Sequence, residues 1–204
     1  MIEIKNSIFN LTKFKFRFSC CAFTKINLAS EILPEELEKY QLLSNSKRKR
    51  EFEYVRFLRT LQIGKKAIRY DAIGKPNVKD KKIFISISHS KNFAAFAHDT
   101  FPIGIDIEEL SPRILKVWSR YLHPEEFAIF DTTSIFDLTI AWTIKEALFK
   151  LNTKNGIDFK NDLRIKSKEG NTFLCEMRSE DGFQTVKMET CAYKNLIISY
   201  NVNQ

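Results

Sequence analysis

Apolar positions along this chain recur in two rhythms, and the switches between them mark its elements. In "EILPEELEKYQLLSNSKRKREFEYVRFLRTLQIGKKAIRY", Leu37, Tyr40, Phe52, Val55 and Leu58 return every three or four residues, the period of an amphipathic helix. Ser44 and Ser46 are candidate caps, so the spacing predicts two helices with a break near Asn45. "AIGKPNV" reads as a Gly/Pro loop. After it, "KIFISISHS", "FAAFAHD" and "IGIDIEE" are short strand-like runs separated by turn residues. From Ser111 the helical rhythm returns in "RILKVWSRYL" and, beyond His123 and Pro124, in "EEFAIF" and "FDLTIAWTIKEALFKL". The tail, from "DLRIKS" through "NLIISYNV", reads as a meander of strands. Helices followed by strands, twice over, predict an α+β fold with two similar halves.

Composition narrows the class. A chain of 204 residues with 44% hydrophobic content can bury a core in one compact domain or two small packed halves. Lys5, Lys13, Lys15 and Arg17 interrupt the N-terminal apolar run, and no stretch reaches the length of a membrane span, so a soluble, cytoplasmic protein without a membrane partner is expected. Cys20, Cys21, Cys175 and Cys191 form no C-x-x-C pair and lie far from the histidines, which predicts reduced structural thiols rather than a zinc site. The formal net charge of +8 points to an anionic partner without saying which.

Against that charge, "PIGIDIEEL" places Asp106, Glu108 and Glu109 at the end of an apolar run. Strand alternation puts Gly104, Asp106 and Glu108 on one face, with the two carboxylates about 7 Å apart, close enough to share a hard cation. Gly104 leaves room on that face for something bulky to approach the backbone. In "AWTIKEALFK", Trp142, Glu146 and Lys150 repeat at i, i+4 and i+8 and form one helical stripe beside an apolar face of Ile140, Ile144, Ala147, Leu148 and Leu151. Each segment alone also describes an ordinary solvated strand end or a surface ion pair.

Taken together, Gly-Ile-Asp-Ile-Glu and, some forty residues on, Trp-Thr-Ile-Lys-Glu-Ala-Leu-Phe-Lys resemble the two-part signature of the 4'-phosphopantetheinyl transferases, in particular the large surfactin-synthetase-activator type. "IGKP", with Lys75, "SISHS", with Ser88 and His89, and "KRKREFEYVRFLR", with Arg56, resemble other family segments. "RYLHPEEFAIF" is similar to a family segment with Glu126 at its glutamate, though Leu122 and His123 stand where Phe and Ser are usual. The similarity runs from about Lys47 to Gly156.

The resemblance implies a pseudodimer of two similar α/β halves, each with helices on a small antiparallel sheet, in a monomer divided near Phe101. Residues 1–101 would supply the coenzyme A pocket, and 102–204 the metal carboxylates and carrier docking. It implies Mg2+ on Asp106, Glu108 and Glu146, and Lys150 over the pyrophosphate. Lys47, Arg56, Lys75, Ser88 and His89 would meet the 3'-phosphate and adenine region. Coenzyme A would be the co-substrate and an apo carrier protein of acyl, polyketide or peptidyl type the acceptor, with 3',5'-ADP released. Glu146 is the leading base for the carrier serine, and a metal-bound water relayed by Asp106 or Glu108 is the other choice. Trp118 and Tyr121 are candidate docking residues. A Mg-dependent nuclease is the nearest rival, weakened because Lys150 follows Glu146 on a helix instead of sharing a strand with an acid. A basic nucleic-acid-binding protein, suggested by "KRKR", and a non-catalytic coenzyme A binder complete the alternatives.

Overall fold

The computed structural model describes residues 8–10, 17–24, 27–80, 82–152 and 155–202; the N-terminal Lys5, Lys13 and Lys15 lie outside these. The chain is a mixed α+β protein that divides into two compact units, Met1–Ile103 and Gly104–Gln204. In the first, β1 (Ile8–Asn10) and β2 (Arg17–Ala22) are followed by the short helix α1 (Leu37–Gln41) and the long helix α2 (Ser46–Ile63). The hairpin β3 (Ile68–Tyr70) and β4 (Pro76–Val78) comes next, then β5 (Phe84–His89) and β6 (Phe93–Asp99). The four-stranded sheet has the order β1-β2-β6-β5 and is antiparallel at every pairing.

The helical rhythm ends earlier than the sequence suggests. Helix α2 stops at Ile63 because Gly64 follows with φ 73°, a left-handed conformation that glycine adopts at little cost. Its N-cap is Asn45, whose side chain accepts the Lys47 N–H at 2.8 Å, and not Ser44 or Ser46. Tyr54, Val55 and Leu58 of α2 pack with Cys21, Ile85, Ala94 and Phe96 of the sheet and with Ile68 and Val78 of the hairpin. Beneath them Arg56 and Arg59, both buried, meet buried Glu36 at 3.2 and 3.7 Å. Glu36 also accepts the Leu33 and Ile68 N–H groups, so one carboxylate ties the segment before α1 to α2 and β3.

The second unit comprises β7 (Ile105–Glu109), α3 (Ile135–Leu151), β8 (Leu163–Glu169), β9 (Thr172–Ser179), β10 (Gly182–Tyr193) and β11 (Leu196–Asn201). Its antiparallel sheet has the order β7-β11-β10-β9-β8. Leu138, Ala141, Ile144, Ala147 and Leu148 of α3 pack on Leu163, Ile165, Phe173, Cys175, Met177, Met188 and Ile197. The helices expected over "RILKVWSRYL" and "EEFAIF" are instead 3-10 turns at Pro112–Lys116, Trp118–Arg120 and Pro124–Ala128. Pro112 and Pro124 each sit at the start of a turn, where a fixed φ and a missing N–H are tolerated.

Both units share one connectivity. A strand leads into the long helix, the chain returns through further antiparallel strands, and the last strand inserts between that first strand and its own predecessor, giving β2-β6-β5 and β7-β11-β10. All four cysteines are free thiols, three of them buried. Among the described residues no helix is long and apolar enough to cross a membrane.

Candidate active site

The acids of "GIDIEE" face α3, and their placement follows from two repeat lengths. Two residues along a strand advance roughly 6.6 Å and four along a helix about 6 Å, so alternate strand positions can match one helical stripe. Gly104, Asp106 and Glu108 do so in antiparallel sense. A Cβ built on Gly104 would lie 2.1 Å from the Ala147 carbonyl oxygen and 3.0 Å from Leu151 Cβ. The bulky neighbour for which this glycine makes room is therefore α3 itself. Asn201 holds the spot from the sheet side, its Oδ1 accepting the Gly104 N–H at 2.8 Å.

One step along, Lys150 Nζ donates to Asp106 Oδ1 at 2.6 Å. One step further, Trp142 Nε1 donates to Glu108 Oε1 at 3.2 Å. Glu146 lies between Trp142 and Lys150 on the stripe. The Glu108 carboxyl is pushed up to about 7, first by burial and then by the Asp106 charge, with Glu146 adding to the rise while Trp142 and Lys150 oppose it. Glu146 is pushed up to about 7 by burial and by Asp106, against Lys150. The structure thus brings together Asp106, Glu108, Glu146 and Lys150, with three carboxylates to one ammonium.

Among the described residues no group of three His, Cys, Asp or Glu side chains is placed to hold a metal ion. The acids share electrostatic reach rather than a closed cage. Their chemistry nevertheless suits a hard divalent cation: every donor is a carboxylate oxygen, and burial together with the neighbouring Asp106 charge raises the Glu108 and Glu146 carboxyls to about 7, a cost that a bound cation would relieve.

The other expected residues belong to the first unit. Lys47 and Arg48 pair with buried Glu51 at 3.4 and 3.2 Å, and His89 Nε2 stands 3.6 Å from the same carboxylate. Lys47 and His89 are thus gathered at the start of α2, with Ser88 buried on β5 beside His89. Lys75 follows the β3–β4 turn half-buried, and burial lowers its affinity for a proton while Asp71 opposes that effect. Arg56 stands apart: its guanidinium lies over the Phe52 ring at 3.3 Å and its charge is tied to Glu36 inside the unit.

Two organising residues escaped the sequence reading. Glu51 collects the basic residues at the start of α2, and its i+3 and i+4 spacing from Arg48 and Lys47 was a readable signal. Lys145 is wholly buried on the apolar side of α3, where its ammonium meets Glu126 at 2.9 Å and donates to the carbonyls of Tyr121, Phe159 and Leu163 at 2.7 to 3.0 Å. A lysine on an apolar helical face was its signal. Glu126, carried over from the family segment, also accepts the His123 and Ile165 N–H groups and is an internal brace. Tyr121 is 2% exposed with its hydroxyl on the Leu138 carbonyl, so it is a core residue and leaves the docking surface; Trp118 is half-buried against exposed Phe127.

Residues 102–200 match the family model described as the 4'-phosphopantetheinyl transferase superfamily. The chain is similar to the 4'-phosphopantetheinyl transferase gsp of Aneurinibacillus migulanus, 35% identical over 89 residues, which is 40% of this chain and 36% of the relative. It is similar also to the 4'-phosphopantetheinyl transferase psf-1 of Bacillus pumilus, 32% identical over 56% of this chain and 47% of the relative. The 4'-phosphopantetheinyl transferase Sfp of Bacillus subtilis (strain 168) is 31% identical over 47% of this chain and 46% of its own length. In each case the match spans less than half of the curated relative. Residues 102–200, the stretch that matches the 4'-phosphopantetheinyl transferase superfamily model, carry both the β7 acids and the α3 stripe.

Proposed function

We propose that this protein transfers the 4'-phosphopantetheine arm of coenzyme A to a serine of an apo carrier protein, releasing 3',5'-ADP. The observation that carries this reading is the ladder of Asp106, Glu108, Glu146 and Lys150 between β7 and α3. Asp106, Glu108 and Glu146 would hold Mg2+, which when bound neutralises pyrophosphate charge. Lys150 presents its ammonium to the 5'-phosphate oxygens of the departing 3',5'-ADP, exchanging the Asp106 contact for substrate. The serine Oγ attacks the β-phosphorus, the phosphoanhydride bond to the ADP portion breaks, and the serine proton passes to Glu146. A carboxylate held at about 7 is well matched to that proton at neutral pH. Reaction of this kind depends on positioning and electrostatics more than on covalent help from the enzyme.

Lys47, Lys75, Ser88 and His89, all within residues 1–101, are the residues proposed to meet coenzyme A, with Lys150 at the pyrophosphate; Arg56, expected among them, has its charge tied to Glu36. Charge distribution supports that division: residues 1–103 contain 20 Lys and Arg against 10 Asp and Glu, while residues 104–204 contain 13 against 15. An acidic acyl, polyketide or peptidyl carrier suits such an enzyme. The strand orders β2-β6-β5 and β7-β11-β10 support reading residues 1–101 and 102–204 as two similar halves, and the proposal takes the enzyme as a cytoplasmic monomer. No observation favours the nuclease or nucleic-acid reading. Incubation with coenzyme A, Mg2+ and a panel of apo carriers, followed by intact-mass spectrometry, tests the proposal: a phosphopantetheine-sized gain on a carrier serine is expected, and no gain on any carrier contradicts it.

A further inference from the structure

The Trp142 indole N–H donates to Glu108 Oε1 at 3.2 Å, and that indole is itself gripped on two sides. Tyr121 meets it edge-on with ring centroids 5.0 Å apart, and Phe159 stacks on it at 5.5 Å and 22°. Phe149, two residues before the end of α3, backs Phe159 at 5.1 Å. The two gripping residues come from turns, which have no ladder of their own to fix them. Both are fixed by Lys145. Its Nζ donates to the Tyr121 carbonyl at 2.8 Å, to the Phe159 carbonyl at 3.0 Å and to the Leu163 carbonyl at 2.7 Å. Glu126 completes the set at 2.9 Å and supplies the counter-charge that lets a lysine stay buried.

Lys145 and Trp142 are three apart on α3, so the same helical turn presents the indole to Glu108 and the ammonium to the turns behind the indole. A buried lysine beside an aromatic trio would be an expensive way to fill a core if packing were its only role, since a well-packed apolar residue does as well or better. We infer that Lys145, Glu126, Tyr121 and Phe159 form a clamp that fixes the Trp142 ring, and that the Trp142 N–H is the positioning contact aiming the Glu108 carboxylate at Asp106 and Glu146. Trp142 touches no reacting atom; it acts through Glu108. The inference rests on the proposed transferase reading only where it concerns metal and activity. The contact itself is independent of it.

The chain contains two tryptophans, so its indole 15N–1H region holds two signals, assigned with Trp118→Phe. Glu108→Gln replaces the carboxyl acceptor by an amide and is expected to shift the Trp142 signal while leaving Trp118 in place. Replacing Trp142 by the isostere 3-benzothienylalanine keeps ring shape and both aromatic contacts but removes the donor. Mn2+ binding, followed by the electron spin resonance of the free ion, is then expected to weaken about 10- to 100-fold, the range for groups that orient metal ligands, with far-ultraviolet circular dichroism unchanged. Lys145→Met should perturb the Trp142 signal and weaken Mn2+ by the same route; if it does not fold, the isostere still decides. A Trp142 signal indifferent to Glu108→Gln, or an isostere that binds Mn2+ within twofold of wild type, overturns the clamp. A responsive signal and weakened Mn2+ in a protein that modifies no carrier would uphold the clamp and overturn the transferase reading.

Discussion

Gly104→Ala tests the register on which the site depends. The added Cβ would stand 2.1 Å from the Ala147 carbonyl oxygen, 3.0 Å from Leu151 Cβ and 3.0 Å from Leu151 N. Two of these neighbours are helix backbone, so no side-chain rotation relieves the overlap. Real Cβ contacts are almost never shorter than 3.0 Å, so strand and helix must separate by about 0.9 Å at this point. Overpacking of this kind costs roughly 1–3 kcal/mol, which for a chain of this size lowers Tm by roughly 2–12 °C. The same displacement lies directly beside the Lys150–Asp106 contact at 2.6 Å. A misplacement of about 1 Å in a positioned site can cost on the order of 100-fold in rate. Thermal unfolding by circular dichroism and the carrier-modification rate of the folded variant measure the two effects separately. A variant with wild-type Tm and wild-type rate would refute the strand–helix register described here.

Lys145→Met removes the donor of four acceptors and leaves Glu126 buried without its counter-charge, which is expected to cost about 3–5 kcal/mol in urea unfolding. Adding Glu126→Gln should recover part of that loss, and strictly additive effects would contradict the pairing. In the metal-free protein, Glu108 and Glu146 keep their protons up to about 7 instead of the ordinary 4.5, so the folded state binds more protons than the unfolded one between those values. Stability therefore falls as pH rises through that window and levels off above it; the double variant Glu108→Gln, Glu146→Gln should show a flatter Tm profile there, and an identical profile would contradict the shifts. Asn45→Ala should lower stability by about 1 kcal/mol through loss of the α2 cap, read by urea unfolding.

The helix stripe and the strand acids were legible because each obeys a fixed repeat: Trp142, Glu146 and Lys150 at four-residue spacing, Gly104, Asp106 and Glu108 at two. What sequence could not show was that these two repeats lie against each other, since their contact is tertiary. Tyr121 looked available for docking because its period matched an amphipathic helix; the proline-started 3-10 turns put it in the core instead. Arg56 looked like a phosphate ligand for want of any sign that Glu36, twenty residues away, would neutralise it. Lys145 was overlooked because lysine is ordinarily a surface residue, and only its place among Ile144, Ala147 and Leu148 argued otherwise.

If the acids between β7 and α3 perform the proposed transfer, the initial rate of carrier modification by Glu146→Gln beside wild type, with coenzyme A and Mg2+ saturating, must show it. The variant keeps shape and removes both the charge and the proton acceptor, so a loss of at least about 100-fold is expected, with Tm unchanged or raised because a buried, like-charged carboxylate is gone. A folded Glu146→Gln that modifies the carrier at the wild-type rate would contradict the claim.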